Sequence, residues 1–130
     1  MFLGTYYTAF SGKGRIILPK KFRSQLSKPE IILMKGFDGG IWGFSEDEWR
    51  NLSGKQLAVS LMDKKGRILR RKFFPLAEVT ELDSQGRFVV SEFLLKESRI
   101  KTDLVLIGAG DHFEIWDSNL WSKMAEKGGE

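Results

Sequence analysis

Two stretches of the chain place an arginine directly after a glycine and before a run of apolar residues. The first is SGKGRIILP at residues 11–19, and the second is DSQGRFVVS at residues 83–91. A guanidinium stays charged at every relevant pH and can donate two parallel hydrogen bonds, either to guanine O6 and N7 or to one phosphate. A glycine before the arginine permits the positive φ that a tight hairpin requires. The first candidate residues for a polyanion-binding site are therefore Gly14, Arg15, Gly86 and Arg87.

The charge of the chain is unevenly distributed. Its net charge is +4, but residues 1–29 contain six Lys or Arg and no acidic residue, whereas residues 73–130 contain six basic and eleven acidic residues. A basic segment suggests a polyanion as partner. Composition alone supports equally well that these residues form a solvated face that only keeps the protein soluble. The basic residues expected to neutralise phosphates beside Arg15 are Lys13, Lys20, Lys21 and Arg23.

The two arginine stretches belong to an internal repeat. A single shift of the chain along itself places Gly14 on Gly86 and Arg15 on Arg87 without a gap. The same shift aligns the apolar residues 32–34 with residues 104–106, and it also aligns Gly36 with Gly108 and Trp49 with Trp121. Self-similarity at a fixed spacing indicates duplicated structural units.

Each repeat predicts the element order β-turn-β-α-β-β-α. In the first repeat we expect strands at about residues 5–10, 15–18, 31–35 and 41–44, with helices over residues 19–27 and 45–52. In the second repeat we expect strands at 77–82, 87–90, 103–107 and 112–116, a helix capped by Ser91, and another over residues 117–125. Pro19 at one helix start, and Ser45 with Glu48 in capping-box spacing at another, support these boundaries.

The fold expected from this pattern is mixed β with short helices, in the α+β class. Neither repeat is long enough to bury much surface alone, so the two should interlock into one pseudo-twofold, barrel-like domain. We place the first repeat at residues 1–54, a helical connecting segment at 55–76 and the second repeat at 77–127. The connecting segment is too apolar for a flexible linker, and we expect one or two helices with a weak point at Gly66.

Several classes of function are unsupported by the sequence. The chain has no cysteine, which excludes disulfides and thiolate chemistry. His112 is the only histidine, the possible metal ligands are not clustered, and residues 108–110 lack the strand and helix of a dinucleotide fingerprint. No apolar stretch approaches the roughly 18 residues of a membrane span. We therefore expect no enzyme, cofactor, metal, small-molecule substrate or membrane partner, and a cytoplasmic location.

Two further features have structural explanations. Residues 63–67 also read D-x-x-x-R, but they lie outside the register of the repeat and are followed by RRKFF. We interpret residues 64–72, which include six Lys or Arg, as a basic helical segment that contacts DNA backbone, solvent or another subunit. Trp49 and Trp121 are interpreted as packing residues rather than as platforms for base stacking.

The order and spacing of the motifs resemble the MraZ family. The resemblance rests on MFLGTYYTAFSGKGRIILP at the start, FFPLAEVTELDSQGRFVV before and through the second turn, and GAGDHFEIW at residues 108–116. It implies a bacterial transcriptional regulator of the division and cell-wall gene cluster, built from two repeats related to the AbrB and MazE swapped-hairpin domains. It also implies a nucleoid-associated protein that assembles into a closed ring, with a D-x-x-x-R signature of each repeat facing the DNA.

The signature is complete in only one repeat. Asp83 and Arg87 stand where the family motif has them, but Ser11 occupies the position at which the family usually has Asp. Serine can bond the turn but has no charge to hold a guanidinium. We therefore expect Ser11 to preserve the first hairpin and to loosen Arg15.

Two functions remain open from the sequence. The first is a sequence-specific DNA-binding repressor of its own operon, a homo-oligomeric ring that binds direct repeats of double-stranded DNA spaced by about one helical turn, ~10 bp. The second is an oligomeric scaffold or antitoxin-like adaptor that binds another protein and contacts DNA only non-specifically. The acidic second half and Ser11 motivate the second function.

Overall fold

Eight strands and five helices make up the chain in a computed structural model that describes residues 1–128. The strands are β1 (Thr5–Ala9), β2 (Arg15–Ile17), β3 (Glu30–Lys35), β4 (Ile41–Phe44), β5 (Ala77–Glu81), β6 (Arg87–Val89), β7 (Asp103–Gly108) and β8 (Phe113–Asp117). The helices are α1 (Lys20–Arg23), α2 (Glu46–Leu57), α3 (Lys64–Phe73), α4 (Glu92–Glu97) and α5 (Ser118–Gly128), and a 3₁₀ turn covers Phe74–Leu76.

The strands of the two repeats pair with one another. The larger sheet has the order β1-β7-β8-β4-β3-β5, so that β1 of the first repeat pairs with β7 of the second, and β5 of the second pairs with β3 of the first. The smaller sheet pairs β2 with β6. All these pairs are antiparallel. The expected α+β architecture is confirmed, and its hydrogen bonds among residues 1–128 form two sheets rather than one closed barrel.

The core lies between these sheets and the short helices α1 and α4. Phe22 of α1 is fully buried, and its ring lies 5.5 Å from that of Phe2 and 5.7 Å from that of Phe113, measured between ring centroids. Leu94 of α4 occupies the equivalent place in the second repeat and is 1% exposed. Each such buried side chain contributes about 1.5–3 kcal/mol of transfer free energy. Packing of this kind holds helices that would be too short to form alone.

One strand of the second repeat is displaced relative to the alignment. The shift that places Gly14 on Gly86 also places Tyr7 on Val79 and Ile32 on Leu104. In the larger sheet, however, Tyr7 pairs with Val105 and Val79 pairs with Ile32, so the structural equivalent of Ile32 is Val105. The alignment of residues 32–34 with 104–106 is therefore wrong by one residue.

The side chains of the core agree with this displacement. Ile31 and Leu33 of β3 point into the core, and their counterparts in β7 are Leu104 and Leu106. A slip of one residue would turn these side chains to the opposite face, so their place in the core agrees with the register given by the strand pairs.

The turns absorb the displacement. Between β3 and β4, five residues form the turn, which Gly36 closes by donating its backbone N–H to the carbonyl of Gly40 at 3.0 Å. Between β7 and β8, four residues suffice, and Ala109 donates to His112 at 2.8 Å. The longer turn of the first repeat thus restores the common register at β4 and β8.

Three helix predictions differ from the structure. Helix α2 continues to Leu57, five residues past its expected end at residue 52. Helix α1 ends at Arg23 rather than at residue 27. The residues after it form a turn and bends that lead through Pro29 to β3. Gly66 is not a break, because α3 runs through it and the interruption lies between α2 and α3 at residues 58–63. An added Cβ at Gly66 would collide with the carbonyl oxygen of Ser60, so this glycine permits a close approach of two segments.

Side chains fix the starts of the other helices. Ser45 accepts a hydrogen bond from the backbone N–H of Glu48 at 3.3 Å, and Ser91 accepts one from that of Leu94 at 3.1 Å. Trp49 of α2 stacks on Phe73 of α3 with ring centroids 5.2 Å apart, which agrees with a packing role. Among residues 1–128, none of the helices combines the length and the apolar character that a membrane span requires.

Candidate nucleic-acid interface

The two candidate arginines lie on the outer face of the β2–β6 ribbon. Ile16 and Phe88 point into the core at the centre of the ribbon, while Arg15, Ile17 and Val89 are exposed on the other face. Arg15 pairs with Val89, and Arg87 pairs with Ile17. The arginines are therefore diagonal neighbours, roughly 7–8 Å apart in ordinary sheet geometry. A two-stranded ribbon is an element that the major groove of DNA can admit.

Asp83 fixes Arg87 in the second turn. One carboxylate oxygen of Asp83 accepts the backbone N–H groups of Gln85 and Arg87, each at 2.9 Å. The other accepts from Nε of the Arg87 guanidinium at 2.8 Å. These bonds, of which that from the Arg87 backbone is the largest contribution, hold the pKa of the Asp83 carboxyl below its ordinary value. With Nε engaged, the Nη1 and Nη2 edge of the guanidinium is left to face a ligand.

The first turn holds its backbone but not its arginine. Ser11 donates its backbone N–H to the carbonyl of Arg15 at 2.9 Å, as Asp83 does to Arg87 at 2.8 Å. The Ser11 hydroxyl donates only a long bond, 3.5 Å, to the same Arg15 carbonyl. Among residues 1–128 the Arg15 guanidinium has no hydrogen-bond or ion-pair partner. The departure from Asp at position 11 therefore coincides with an unanchored arginine.

Gly14 and Gly86 bring the two turns against the opposite repeat. The carbonyl of Gly86 accepts from the backbone N–H of Leu18 at 2.9 Å, and that of Gly14 accepts from Val90 at 2.8 Å. Both glycines have positive φ, 68° and 79°, in the left-handed region. A Cβ at Gly14 would lie only 2.9 Å from the Val90 carbonyl oxygen, so a larger residue would disturb this contact.

Helix α1 of the first repeat lies beside the turn of the second repeat. The Arg23 guanidinium packs over Gly86, and its Cζ would be 2.7 Å from a Cβ added there. The buried Nε of Arg23 has no hydrogen-bond partner among the described residues. The sequence predicts Arg23 near Arg15. The structure places Arg23 against Gly86 of the second turn, because strand exchange carries each short helix to the opposite turn.

The remaining candidate lysines are exposed near the ribbon. Lys13 lies in the first turn, and Lys20 and Lys21 form the start of α1, which follows the Leu18 contact with the second turn. Sequence reasoning misses Glu81, which shares a shallow depression with Arg15, Asp83 and Arg87. The pairing of β5 with β3 positions Glu81, and no local sequence signal gives that pairing.

The third D-x-x-x-R stretch has a different structure. Residues 64–73 form helix α3, which confirms the interpretation as a basic helical segment. Arg67 donates to the carbonyls of Leu61 and Met62 at 3.1 and 3.0 Å, and Arg70 donates to that of Val59 at 2.9 Å. These two arginines close the connection between α2 and α3. The exposed basic residues of this helix are Lys64, Lys65, Arg71 and Lys72.

His112 is held between two carboxylates. Its Nδ1 lies 2.7 Å from Asp111 and its Nε2 lies 2.8 Å from Glu114, which also accepts from Trp116 at 2.9 Å. Burial disfavours the charged imidazole, but the bonds to Glu114 and Asp111 outweigh burial and raise the pKa of His112. Both ring nitrogens are therefore engaged with carboxylates.

The sequence of the whole chain matches a known family model. The model is described as "MraZ protein, putative antitoxin-like", and it matches residues 1–72 and again residues 73–130. The chain belongs to the MraZ family. The two matches fall on the two repeats that exchange strands in the structure, so the MraZ unit and the structural repeat coincide.

Similar proteins in this family carry regulatory names. A "Transcriptional regulator MraZ" of Heliobacterium modesticaldum is 36% identical over 127 residues, which is 98% of this chain and 88% of that protein. A protein of the same name from Acetivibrio thermocellus is 36% identical over 93% of this chain and 84% of that protein. Another from Ligilactobacillus salivarius is 33% identical over 100% and 90%. These names describe regulators, in agreement with the expectation of a non-enzymatic protein.

Proposed function

We propose that this chain is a sequence-specific DNA-binding transcriptional regulator that represses its own cell-division and cell-wall operon. The observation that carries the proposal is the outer face of the β2–β6 ribbon, where Arg15 and Arg87 are diagonal neighbours and Asp83 orients Arg87. A preorganised guanidinium loses less conformational freedom on binding and can present two donors to guanine. The names of the MraZ relatives support a role in transcription.

The proposal assigns two kinds of contact. Base edges are approached from the outer face of the ribbon, where the two arginines lie, whereas the exposed lysines neutralise phosphates and fix the position of the protein on the duplex. One arginine contact supplies only about 1–3 kcal/mol of discrimination. If several copies in a ring bind successive direct repeats at once, avidity increases the small discrimination that each contact supplies. Occupancy across a promoter in the nucleoid would then exclude polymerase.

Fluorescence anisotropy tests the function directly. The purified chain is titrated onto DNA from upstream of its own gene and onto a scrambled duplex of equal length, at two salt concentrations. We expect a preference for its own DNA that persists at the higher salt. Equal binding to both duplexes that weakens together with rising salt would show that the protein senses only phosphates, and would refute specific recognition.

A double variant tests the site. Arg15→Ala combined with Arg87→Ala should abolish the preference without affecting oligomeric state, because both side chains project from the outer face of the ribbon. Arg71→Ala is the matched control, since Arg71 is an exposed arginine of α3 away from the ribbon. Normal DNA binding by the double variant would show that the assigned residues are wrong.

A second function is favoured by one surface of the molecule. The connection between α2 and α3 exposes a group of large apolar side chains, namely Leu57, Leu61, Met62 and Ile68. Exposed apolar groups of this kind mark protein contacts. An oligomeric scaffold or antitoxin-like adaptor would use this surface, and its protein binding would survive the double arginine variant that abolishes the preference for its own DNA.

A further inference from the structure

The exchange of strands places the basic helix of one repeat beside the anchored arginine of the other. Leu18, which precedes α1, donates its backbone N–H to the Gly86 carbonyl at 2.9 Å, and Arg23 of α1 covers Gly86. Lys20 and Lys21 lie on the exposed side of the same short helix. We use the name composite end for the surface formed by Asp83, Arg87 and α1.

The opposite end of the ribbon has the same backbone but different side chains. Val90, which precedes α4, donates to the Gly14 carbonyl at 2.8 Å, so α4 lies beside the first turn as α1 lies beside the second. At the positions that correspond to Lys20 and Arg23, α4 carries Glu92 and Leu95. We call the surface formed by Ser11, Lys13, Arg15 and α4 the plain end.

The two ends differ in charge. The composite end has four basic side chains, Lys20, Lys21, Arg23 and Arg87, against Asp83 and the neighbouring Glu81, which lines the same depression. The plain end has three basic side chains, Lys13, Arg15 and Lys96, and two acidic ones, Glu92 and Glu97. A duplex that lies across the ribbon therefore meets a stronger positive potential at the composite end.

The two ends also differ in order. Asp83 holds the Arg87 guanidinium through Nε at 2.8 Å and leaves the Nη1 and Nη2 edge available for two acceptors. Arg15 has no such partner within residues 1–128, and its side chain runs back over Gly12, with Cδ 3.6 Å from the place of a Cβ there. An unanchored arginine must lose rotamer freedom before it can recognise a base, whereas an electrostatic contact with phosphate needs no fixed geometry.

We infer that the protein recognises bases at the composite end alone, with Arg87 as the residue that determines specificity and Lys20, Lys21 and Arg23 as its phosphate contacts. Arg15 at the plain end binds phosphate without discriminating between bases. The pseudo-twofold ribbon therefore recognises a short element without twofold symmetry, although its backbone is nearly symmetric. This inference rests on the proposed function and assigns unequal roles to its two arginines.

Single variants separate the two ends. We expect Arg87→Ala to reduce the ratio of binding to its own DNA over scrambled DNA by about tenfold or more. Arg15→Ala should weaken binding to both duplexes by the same factor and leave the ratio within about twofold. Circular dichroism and size-exclusion chromatography verify that both variants fold and assemble like the wild type. An equal or larger loss of the ratio in Arg15→Ala would overturn the inference.

A modified duplex tests the contact with guanine. Replacement of the guanines by 7-deazaguanine removes the N7 acceptor and leaves the phosphates unchanged. The wild type and Arg15→Ala should both lose affinity for the modified duplex, whereas Arg87→Ala should bind modified and unmodified duplexes equally. Sensitivity that is retained in Arg87→Ala and lost in Arg15→Ala would assign base recognition to the plain end and refute the inference.

The role of α1 has an independent measure. Lys20→Gln with Lys21→Gln should reduce the slope of log affinity against log salt by about one unit for each phosphate that is no longer neutralised. Lys96→Gln, the matched exposed lysine of α4, should leave the slope unchanged. This comparison does not require that the wild type prefers its own DNA. It therefore tests the phosphate contacts of the composite end even if the proposed sequence-specific recognition is refuted. Equal slopes in the α1 and α4 variants would contradict the assignment.

Discussion

Ile16 and Phe88 are direct pairing partners at the centre of the β2–β6 ribbon, and they are also equivalent residues of the two repeats. The pseudo-twofold axis of the molecule therefore passes between them. Both are buried, at 0% and 1% exposure, so the axis enters the core directly beneath Arg15 and Arg87. The two repeats therefore meet at this pair of residues, and the candidate site lies on the axis that relates the repeats.

The glycines of the two turns should be sensitive to a single methyl group. Gly86→Ala places a Cβ at φ 79° and against the Arg23 guanidinium, so we expect a loss of unfolding free energy of about 1–2 kcal/mol. Gly54→Ala is the control, because Gly54 lies within α2 and a Cβ there has no neighbour within 4 Å. It should stabilise the protein by up to about 1 kcal/mol. Urea unfolding measures both, and an unchanged midpoint for Gly86→Ala would contradict the packing at this turn.

Arg70 should be a structural residue in spite of its basic surroundings. It donates to the Val59 carbonyl at 2.9 Å and to that of Gly66 at 3.1 Å, which satisfies carbonyls at the connection between α2 and α3. We expect Arg70→Ala to cost about 1–3 kcal/mol in urea unfolding. Arg71→Ala, at an exposed neighbouring position, should stay within about 0.5 kcal/mol of wild type. Equal effects of the two substitutions would refute the capping role.

The pH dependence of stability should report the cluster around His112. Burial opposes the charged imidazole, but the bonds to Glu114 and Asp111 outweigh it and raise the pKa of His112 above its ordinary 6.5. Because the folded state binds this proton more tightly than the unfolded state does, His112 adds to the unfolding free energy. This stabilisation is complete below pH 6.5 and is lost as the pH rises through the pKa of the folded state. Burial favours the neutral carboxyl of Glu114, but the bonds from His112 and Trp116 prevail and lower its pKa below 4.5. That contribution is lost only as the pH falls through the lowered value.

The measurement compares the wild type with His112→Gln by urea unfolding between about pH 5 and pH 9, a range that spans the ordinary histidine pKa. The difference in unfolding free energy should be largest at the acidic end and should shrink as the pH rises. Glu48 and Lys55 of α2 line a cavity together with Asp111 and His112, and Lys55→Gln controls for a change in the local potential. A difference that is constant with pH would show that His112 contributes by packing alone.

The sequence predicts the duplicated turns well because their requirements are local. A glycine with positive φ, an arginine after it and an acceptor three residues before the glycine are sufficient to define the second hairpin, and Asp83 fulfils the predicted interaction with the backbone and the guanidinium. The start of the helix at Ser91 is local in the same way. Such features depend on residues within one turn of chain, so propensity and spacing determine them.

Long-range pairing limits the rest of the prediction. The alignment of residues 32–34 with 104–106 matches apolar residues, but both sides of each strand are apolar, so hydropathy alone does not define which side faces the core. The displacement of β7 by one residue follows only from the pairs Tyr7 with Val105 and Ile32 with Val79. Sequence distance likewise gives no indication that Arg23 packs over Gly86, since strand exchange decides this contact.

Restoring the carboxylate in the first turn should anchor Arg15. Ser11 already donates its backbone N–H to the Arg15 carbonyl at 2.9 Å, so Ser11→Asp can place its carboxylate where Asp83 lies in the second turn. We expect this substitution to sharpen discrimination between cognate and scrambled DNA, because an oriented guanidinium can recognise a base. Affinity for scrambled DNA should fall, since a negative charge is added near phosphates.

Anisotropy on the two duplexes measures the ratio, and Ser11→Asn serves as the control of similar size without charge. Asn can accept the backbone bonds of the turn but holds a guanidinium only weakly, so its ratio should remain that of the wild type. When Ser11→Asp is combined with Arg15→Ala, the increase in the ratio of cognate to scrambled binding should disappear. That result would show that the increase comes from the arginine and not from the backbone of the turn. If Ser11→Asp and Ser11→Asn give the same ratio, the carboxylate is irrelevant to recognition, and the difference in anchoring between Arg15 and Arg87 has no effect on specificity.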